Sequence, residues 1–403
     1  MRYVLYGLSA LLVSGCIRSV YEVPVLGRVV AGQGDTRPFE QPLPINTQPK
    51  RLALGHSFAI GVKEDGTVWS WGYGMLGLGK FESRGTPQAI PNMTNFLEVA
   101  VGSEHVLALR KDGTVWSWGD NKKGQLGYKE EGIPYGKEPN IRFSAQQLTP
   151  KQVPELKDVV SIAAGSSFSL ALDKEGRVWG WGSALEIMKK ETQSKYIFPV
   201  VVVHDKNAVK IMTDHTNGFG MLLNTGQVKL WQTKTLYEPT FNSRVVDVAM
   251  SYSNTYFLLD TGRVYALGTN YSGELAQQGR YAHYKDNPQL ITQIGRIIKI
   301  DTYTALDEKG RVWQWGDIAG INIDKTFSGN NIYSQFYPRI MTSDKDIVDV
   351  YCCSFALSKD GTVWAWGNDT GGIRGDAKPI TNSFQKQTHA HWTAPVRSLW
   401  MWK

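Results

Sequence analysis

Cysteine is scarce, with three among 403 residues. Two of them, Cys352 and Cys353, are adjacent, and neighbours in a strand point to opposite faces. A bond between them would need a distorted backbone, so two small core thiols are the simpler reading, with a vicinal disulfide as the alternative in an oxidising compartment. No second Cys or His pair at ligand spacing accompanies them, which argues against a metal site there. Catalytic signatures are missing as well: no Gly-x-Ser-x-Gly elbow, no phosphate loop and no His-Glu-x-x-His occurs. Among the seven histidines the one close pair is His389-Ala390-His391, read as an exposed loop. Asp214-His215 reads as plain surface in a loop insertion. These absences predict a chain that is not an enzyme and takes no cofactor or metal. Concentrated charge is lacking too. The net charge is +7, but the basic residues are spread along the chain in clusters no longer than pairs such as Lys122-Lys123 and Lys189-Lys190, which argues against a nucleic-acid footprint.

Long apolar runs are confined to the N-terminus. Val4 to Val13 is apolar except for Gly7 and Ser9, and Arg2 precedes it. The run is shorter than the about 20 residues a spanning helix needs and has the layout of a secretory signal. It ends in Leu12-Val13-Ser14-Gly15-Cys16, which resembles the bacterial lipoprotein box; a plain cleaved signal with a chance cysteine is the alternative. The resemblance implies cleavage before Cys16, lipidation of that cysteine and, with Ile17 following it, sorting to the outer membrane. Residues 17–50 carry Pro24, Pro38, Pro42, Pro44 and Pro49 and read as a semi-extended tether, whose last part around Leu43 to Lys50 could join the fold as a strand. The expected domains are therefore a signal at 1–15, a lipidated cysteine and tether at 16–48, and a folded body at 49–403.

What the body has in abundance is repetition, which is best sought before any other feature. Seven turn glycines, Gly66, Gly113, Gly176, Gly226, Gly262, Gly310 and Gly361, recur at spacings of 47, 63, 50, 36, 48 and 51 residues. An alternating apolar run precedes each, as in Val106-Leu107-Ala108-Leu109. After the turn comes Val-Trp-x-Trp-Gly in five copies, the first being Val68-Trp69-Ser70-Trp71-Gly72. Two copies are degraded, Val228-Lys229-Leu230-Trp231-Gln232 and Val264-Tyr265-Ala266-Leu267-Gly268. The period of two identifies strands. A further strand leads into each apolar run, and a proline-started segment closes each copy, from Pro87-Gln88-Ala89-Ile90 to Pro395-Val396-Arg397-Ser398, with only Pro239-Thr240-Phe241 in the fourth. Proline belongs at edge strands, so each copy has four strands with that segment outermost. This predicts an all-β, seven-bladed β-propeller of four-stranded blades. In Trp-x-Trp both rings leave one face of the strand and a mostly small residue leaves the other, so a bulky face can meet a small one on the next blade. Each ring buries about 150–250 Å², an upper bound of about 4–6 kcal/mol, which assigns the tryptophans to the core.

The second copy carries Gly102-Ser103-Glu104-His105, Asp112-Gly113, Trp116-Ser117-Trp118-Gly119-Asp120-Asn121 and Gly124-Gln125-Leu126-Gly127. This pattern resembles the regulator-of-chromosome-condensation (RCC1-type) repeats, over about Pro49 to Lys403. The resemblance implies the propeller, gives His105 a structural hydrogen bond, and includes secreted bacterial members that cover an enzyme's active site. Copies six and seven depart from it: Ile297 to Tyr303 and Ile347 to Cys353 replace the Ala-Ala-Gly loop, so the surface there should differ.

Two functions follow. The first is a monomeric, lipid-anchored interaction module on the bacterial envelope. It would bind an unidentified envelope or secreted protein, and no nucleic acid, on one face through His56, Tyr73, Asn121, Tyr252, Tyr271, Tyr303 and Tyr351. The alternative is a glycan- or cell-wall-binding protein or hydrolase, for which paired carboxylates about 5–10 Å apart in a central pocket would speak.

Overall fold

The computed structural model describes residues 41–129, 146–183, 196–232, 235–271, 273–277, 283–316, 338–342, 346–351, 355–366 and 396–401. Cys16, Cys352, Cys353, His389 and His391 lie outside these, as do the signal and the tether up to residue 40. The chain forms seven four-stranded antiparallel sheets, each built from consecutive strands. They are the blades of a propeller, at residues 52–89, 96–152, 159–204, 208–237, 245–290, 297–342 and 347–401. The first strand of each blade lies at the hub and the fourth at the rim. Because the strands meander, the loops between first and second strands gather on one face, the loop face. The glycine turns between second and third strands gather on the other, the turn face.

The Trp-x-Trp strands bond the blades to each other. The second rings, Trp71, Trp118, Trp181 and Trp366, are fully buried. Trp71 packs with Ala365 and Phe355 of the last blade, and Trp315 packs with Ala266 of the blade before it, so bulky and small faces meet as the alternation requires. Trp181 Nε1 also donates to the Gln125 carbonyl of the preceding blade at 2.9 Å, and Trp315 Nε1 to the Glu274 carbonyl at 3.1 Å. The first rings lie further out and bond within their own blade: Trp179 and Trp313 donate to Asp173 and Asp307 at 2.8 and 2.9 Å. Arg177 and Arg311 lie over these two rings, 5.5 and 5.1 Å from the centroids.

The prolines differ from expectation in place. Pro87, Pro150, Pro199 and Pro288 lie inside their outer strands, not at the start. In each case the register slips there: Ser70 pairs with Gln88 but Gly72 with Arg84, which leaves residues 85–87 as a bulge, and the other three repeat the slip. A bulged residue has no ladder bond to lose, so a proline costs little. The fourth blade is corrected as well. Its outer strand is Thr235–Tyr237, and Phe241 lies beyond it, packed on Phe257 and Tyr265 at 5.0 and 5.3 Å.

Leu43 to Lys50 joins the fold as a strap without strand pairing. Leu43 N donates to Asp260 O at 2.9 Å, Asn46 N to Val246 O at 2.7 Å, and Val99 N donates to Lys50 O at 2.9 Å. Ile45 packs against the apolar clusters on both sides of the fifth blade. The strap thus crosses the turn-face end of the hub from the fifth blade to the first two, while Trp71 meets Phe355 at a centroid distance of 6.5 Å where the ring closes.

Candidate functional site

The seven hub strands surround an axial cavity of about 170 Å³, which the strap also lines. Each strand places one residue at the same position, two apolar residues after its start or the equivalent. Around the ring these are Arg51, Glu98, Ser161, Lys210, Asp247, Lys299 and Asp349. Five of the pairings slip register just before this residue, at Glu98, Lys210, Asp247, Lys299 and Asp349. The signs alternate. Seven is odd, so one position must break the alternation, and uncharged Ser161 stands there. Lys210 Nζ bonds Asp247 Oδ1 of the next blade at 2.6 Å, and Lys299 Nζ bonds Asp349 Oδ2 of the next at 2.8 Å. From the strap end, Lys50 Nζ reaches Asp301 Oδ2 of the sixth blade at 2.7 Å.

Glu98 is buried beside the gap that Ser161 leaves. Burial pushes its carboxyl up to about 8, against the pull of Lys210, Lys50 and the backbone N–H groups of Ile162 and Lys50. His105 is fully buried. Its Nε2 lies 2.9 Å from Ser169 Oγ, which itself donates to the Gln125 carbonyl at 2.7 Å. The hydroxyl's proton is therefore used, and the imidazole donates from Nε2. Burial holds its pKa down at about 4. The expected structural hydrogen bond is this one, and it ties the second blade to the third.

The two faces differ in kind. Four glycine turns carry an exposed pair of opposite charges, Glu308-Lys309, Lys111-Asp112, Lys174-Glu175 and Lys359-Asp360, and a fifth, Glu64-Asp65, is doubly acidic beside Lys63. On the loop face the described connections between first and second strands read Gly55-His56-Ser57, Ser103-Glu104, Ser166-Ser167, Asp214 to Gly218, Tyr252-Ser253 and Thr302-Tyr303. Glu104 and the buried Asp214 are their only charged residues. Asp214 is not plain surface: its Oδ1 caps the loop by accepting from Thr216 N, Thr216 Oγ1 and Gly218 N at 2.7–2.9 Å. Ser103 and Ser166 meet across blades at 3.1 Å.

Of the expected partner-binding residues, four are exposed at this face. Tyr252 is 60 % exposed, Tyr271 47 % and Tyr73 45 %, and His56 is exposed with them. Tyr73 stands edge-on to exposed Phe81 at 5.0 Å, and Tyr252 lies 6.2 Å from the ring of His215. Tyr303 is half-buried, with its hydroxyl accepting from Ser251 Oγ at 2.8 Å and its ring against Tyr256. Asn121 and Tyr351 are corrections. Asn121 is fully buried and staples its own loop, accepting from Leu126 N and donating to Tyr128 O, both at 3.0 Å. Asn270 does the same with Leu275 and Gln277, so the shared five-residue spacing was a legible sign of a loop staple. Tyr351 is buried in the cluster that closes the ring. Burial and Asp349, whose Oδ2 lies 3.2 Å from its hydroxyl, raise its pKa. Sequence reasoning missed the hub charges, although their position in each apolar-apolar-X-apolar strand was visible.

Among the described residues no group of three or more His, Cys, Asp or Glu side chains is placed to hold a metal ion. The carboxylates in the central cavity are engaged: Asp247, Asp301 and Asp349 each bond a lysine.

Sequence comparison matches the regulator of chromosome condensation (RCC1) repeat at residues 65–109 and 112–172, and a second model of that repeat at 96–125. The chain is an RCC1-type repeat protein. It is 32 % identical over 246 residues to the mouse E3 ubiquitin-protein ligase HERC2 and 33 % over 247 residues to the human protein. Each match covers 52 % of this chain and 5 % of the relative, so the chain spans a small part of those proteins' length. Among solved structures, Prp20p from Saccharomyces cerevisiae superposes with a TM-score of 0.63 at 19 % identity, covering 88 % of this chain and 87 % of that one. Human WBSCR16 gives 0.58 at 20 %, covering 76 % and 85 %. At these identities the likeness is one of fold, which by itself does not fix function.

Proposed function

We propose that this RCC1-type propeller is a non-enzymatic protein-binding module of the bacterial envelope, held by a lipid on Cys16 and presenting its loop face to a partner protein. The observation that carries the reading is the asymmetry of the two faces. The turn face is ringed by charged pairs and crossed by the strap that leads back to the tether. Among the described residues, the first-to-second-strand loops of the other face carry no charge but Glu104 and the buried Asp214, with the exposed Lys122 and Lys123 on a third-to-fourth-strand connection beside them, and they offer tyrosine, histidine, serine and asparagine, the side chains that give binding loops large contact area and adaptable hydrogen bonds. An anchor attached through the strap turns the charged face toward the membrane and the loop face away from it. The relative Prp20p, described by its binding to Gsp1p and histones, supports a binding role in general without supplying this chain's partner.

A photo-crosslinking side chain placed at Tyr252 in the intact cell tests the face, with the same group at Lys174 on the turn face as its counterpart. A discrete protein adduct from position 252, weakened by Tyr73→Ala, is expected. Adducts from position 174 alone would reverse the assignment. Cys16→Ser tests the anchor: the protein should leave the membrane fraction, and retention there would refute lipidation.

A further inference from the structure

The hub cavity has more hydrogen-bond donors than acceptors. Asp247 already takes Lys210 Nζ and Val248 N on Oδ1, at 2.6 and 2.9 Å, and Asn46 Nδ2 on Oδ2 at 2.6 Å. Asp349 takes Val350 N on Oδ1 at 2.9 Å, and on Oδ2 Lys299 Nζ at 2.8 Å and Tyr351 OH at 3.2 Å. Asp301 takes Thr302 N, Thr302 Oγ1 and Lys50 Nζ at 2.7–3.1 Å. Each carboxylate thus holds three donors of the about four it can accept. Lys210 and Lys299 are in the opposite condition. An ammonium has three N–H donors, and each of these two gives one to its carboxylate, which leaves two apiece. The Lys210 side chain is 25 % exposed against 2 % for Asp247, so the cation faces the cavity and the acid is recessed behind it. Lys299 is exposed to 27 % and its partner Asp349 equally, to 26 %. Both line the same space of about 170 Å³, well above what one water needs. Glu98, the remaining acid of the ring, is uncharged at neutral pH because burial raises its pKa to about 8, and so does not offset the lysines.

We propose that the axial cavity is a binding site for a small oxyanion, a phosphate or a carboxylate, held by the free N–H donors of Lys210 and Lys299. The strap closes the turn-face end of the cavity, so the anion enters from the loop face. It is either a free solute or the acidic side chain of a docked protein. The site depends only on the hub and stands whether or not the loop face binds a partner.

Calorimetric titration of the full chain with sodium phosphate and with acetate, at ionic strength held constant with sodium chloride, tests the proposal. One saturable site is expected, weakened about tenfold when one lysine's bonds are removed. The variants are Lys210→Gln with Asp247→Asn and Lys299→Gln with Asp349→Asn, because a lysine change alone would leave its carboxylate without its cation. Should either pair unfold, crystals of the unaltered protein soaked in selenate give a second reading, with anomalous density expected beside the Nζ atoms of Lys210 or Lys299. N-acetyl-aspartamide competing with phosphate, where N-acetyl-asparaginamide does not, would identify a carboxylate side chain as an occupant; phosphate binding without that competition would identify a free oxyanion. No saturable heat, or binding unchanged in both folded pair variants, or a selenate-free cavity, would overturn it.

Discussion

At the scale of single residues, two buried groups give the protein opposite responses to pH. His105 takes a proton near 6.5 when unfolded and only near 4 when folded. Between those values the unfolded chain holds more protons, so stability is complete above about pH 6.5 and falls as the pH drops toward 4, by up to about 3 kcal/mol. Glu98 runs the other way. Its carboxyl releases its proton near 4.5 when unfolded and near 8 when folded, so its contribution is present below pH 4.5 and lost as the pH rises toward 8. The two windows overlap, so urea titrations should show stability nearly level between about pH 4.5 and 6.5, where the opposite slopes cancel, and falling from about 6.5 to 8. His105→Gln should extend the fall down to about pH 4.5, and Glu98→Gln should remove it and leave a rise from about pH 4 to 6.5; profiles unchanged in both variants would mean that neither group titrates as its burial dictates.

At the scale of the strand and its turn, the last glycine of Gly124-Gln125-Leu126-Gly127 is pressed between two blades, whereas the fifth blade has Ala276 at that place, at φ +54°. The φ of Gly127 is +82°, and a Cβ there would lie 2.7 Å from Val153 Cγ1 and 3.0 Å from Nε1 of Trp181 on the next blade. Gly79 has the same φ, but its nearest neighbour would be 3.8 Å away. Gly79→Ala should thus cost only the backbone strain, about 1 kcal/mol, and Gly127→Ala that plus the clash, about 2–4 kcal/mol in all. Equal losses in chemical denaturation would contradict the packing account. The strands themselves were legible because period-two alternation and glycine turns are local. The outer-strand prolines were assigned to the right strand but the wrong position, since a register slip depends on the partner strand and leaves no mark in its own sequence.

At the scale of the whole molecule, the alternating hub charges act as one ring. Lys210→Asp with Asp247→Lys would restore an isolated ion pair. Here it would set the new lysine beside Lys299, so the double swap should remain less stable than the natural protein, by about 1–3 kcal/mol. Full recovery would show that the pairs are independent. The strap makes a second whole-molecule contribution. Ile45 packs against clusters shared by the fourth, fifth and sixth blades, and Ile45→Asp should lower the thermal midpoint and open the chain near residue 41 to limited proteolysis.

The sequence by itself determined the number of copies, the four strands in each and the burial of the tryptophans, because each follows from a short-range alternation that sets which side chains share a face. It also marked His105 as structural. Only the tertiary structure decided which of the face-loop residues are available, since Asn121 and Tyr351 are buried by neighbours that local pattern does not specify. The hub was decided there too. Lys50 and Asp301 are 251 positions apart, and nothing but closure of the ring brings them, or the seven hub positions, to one axis.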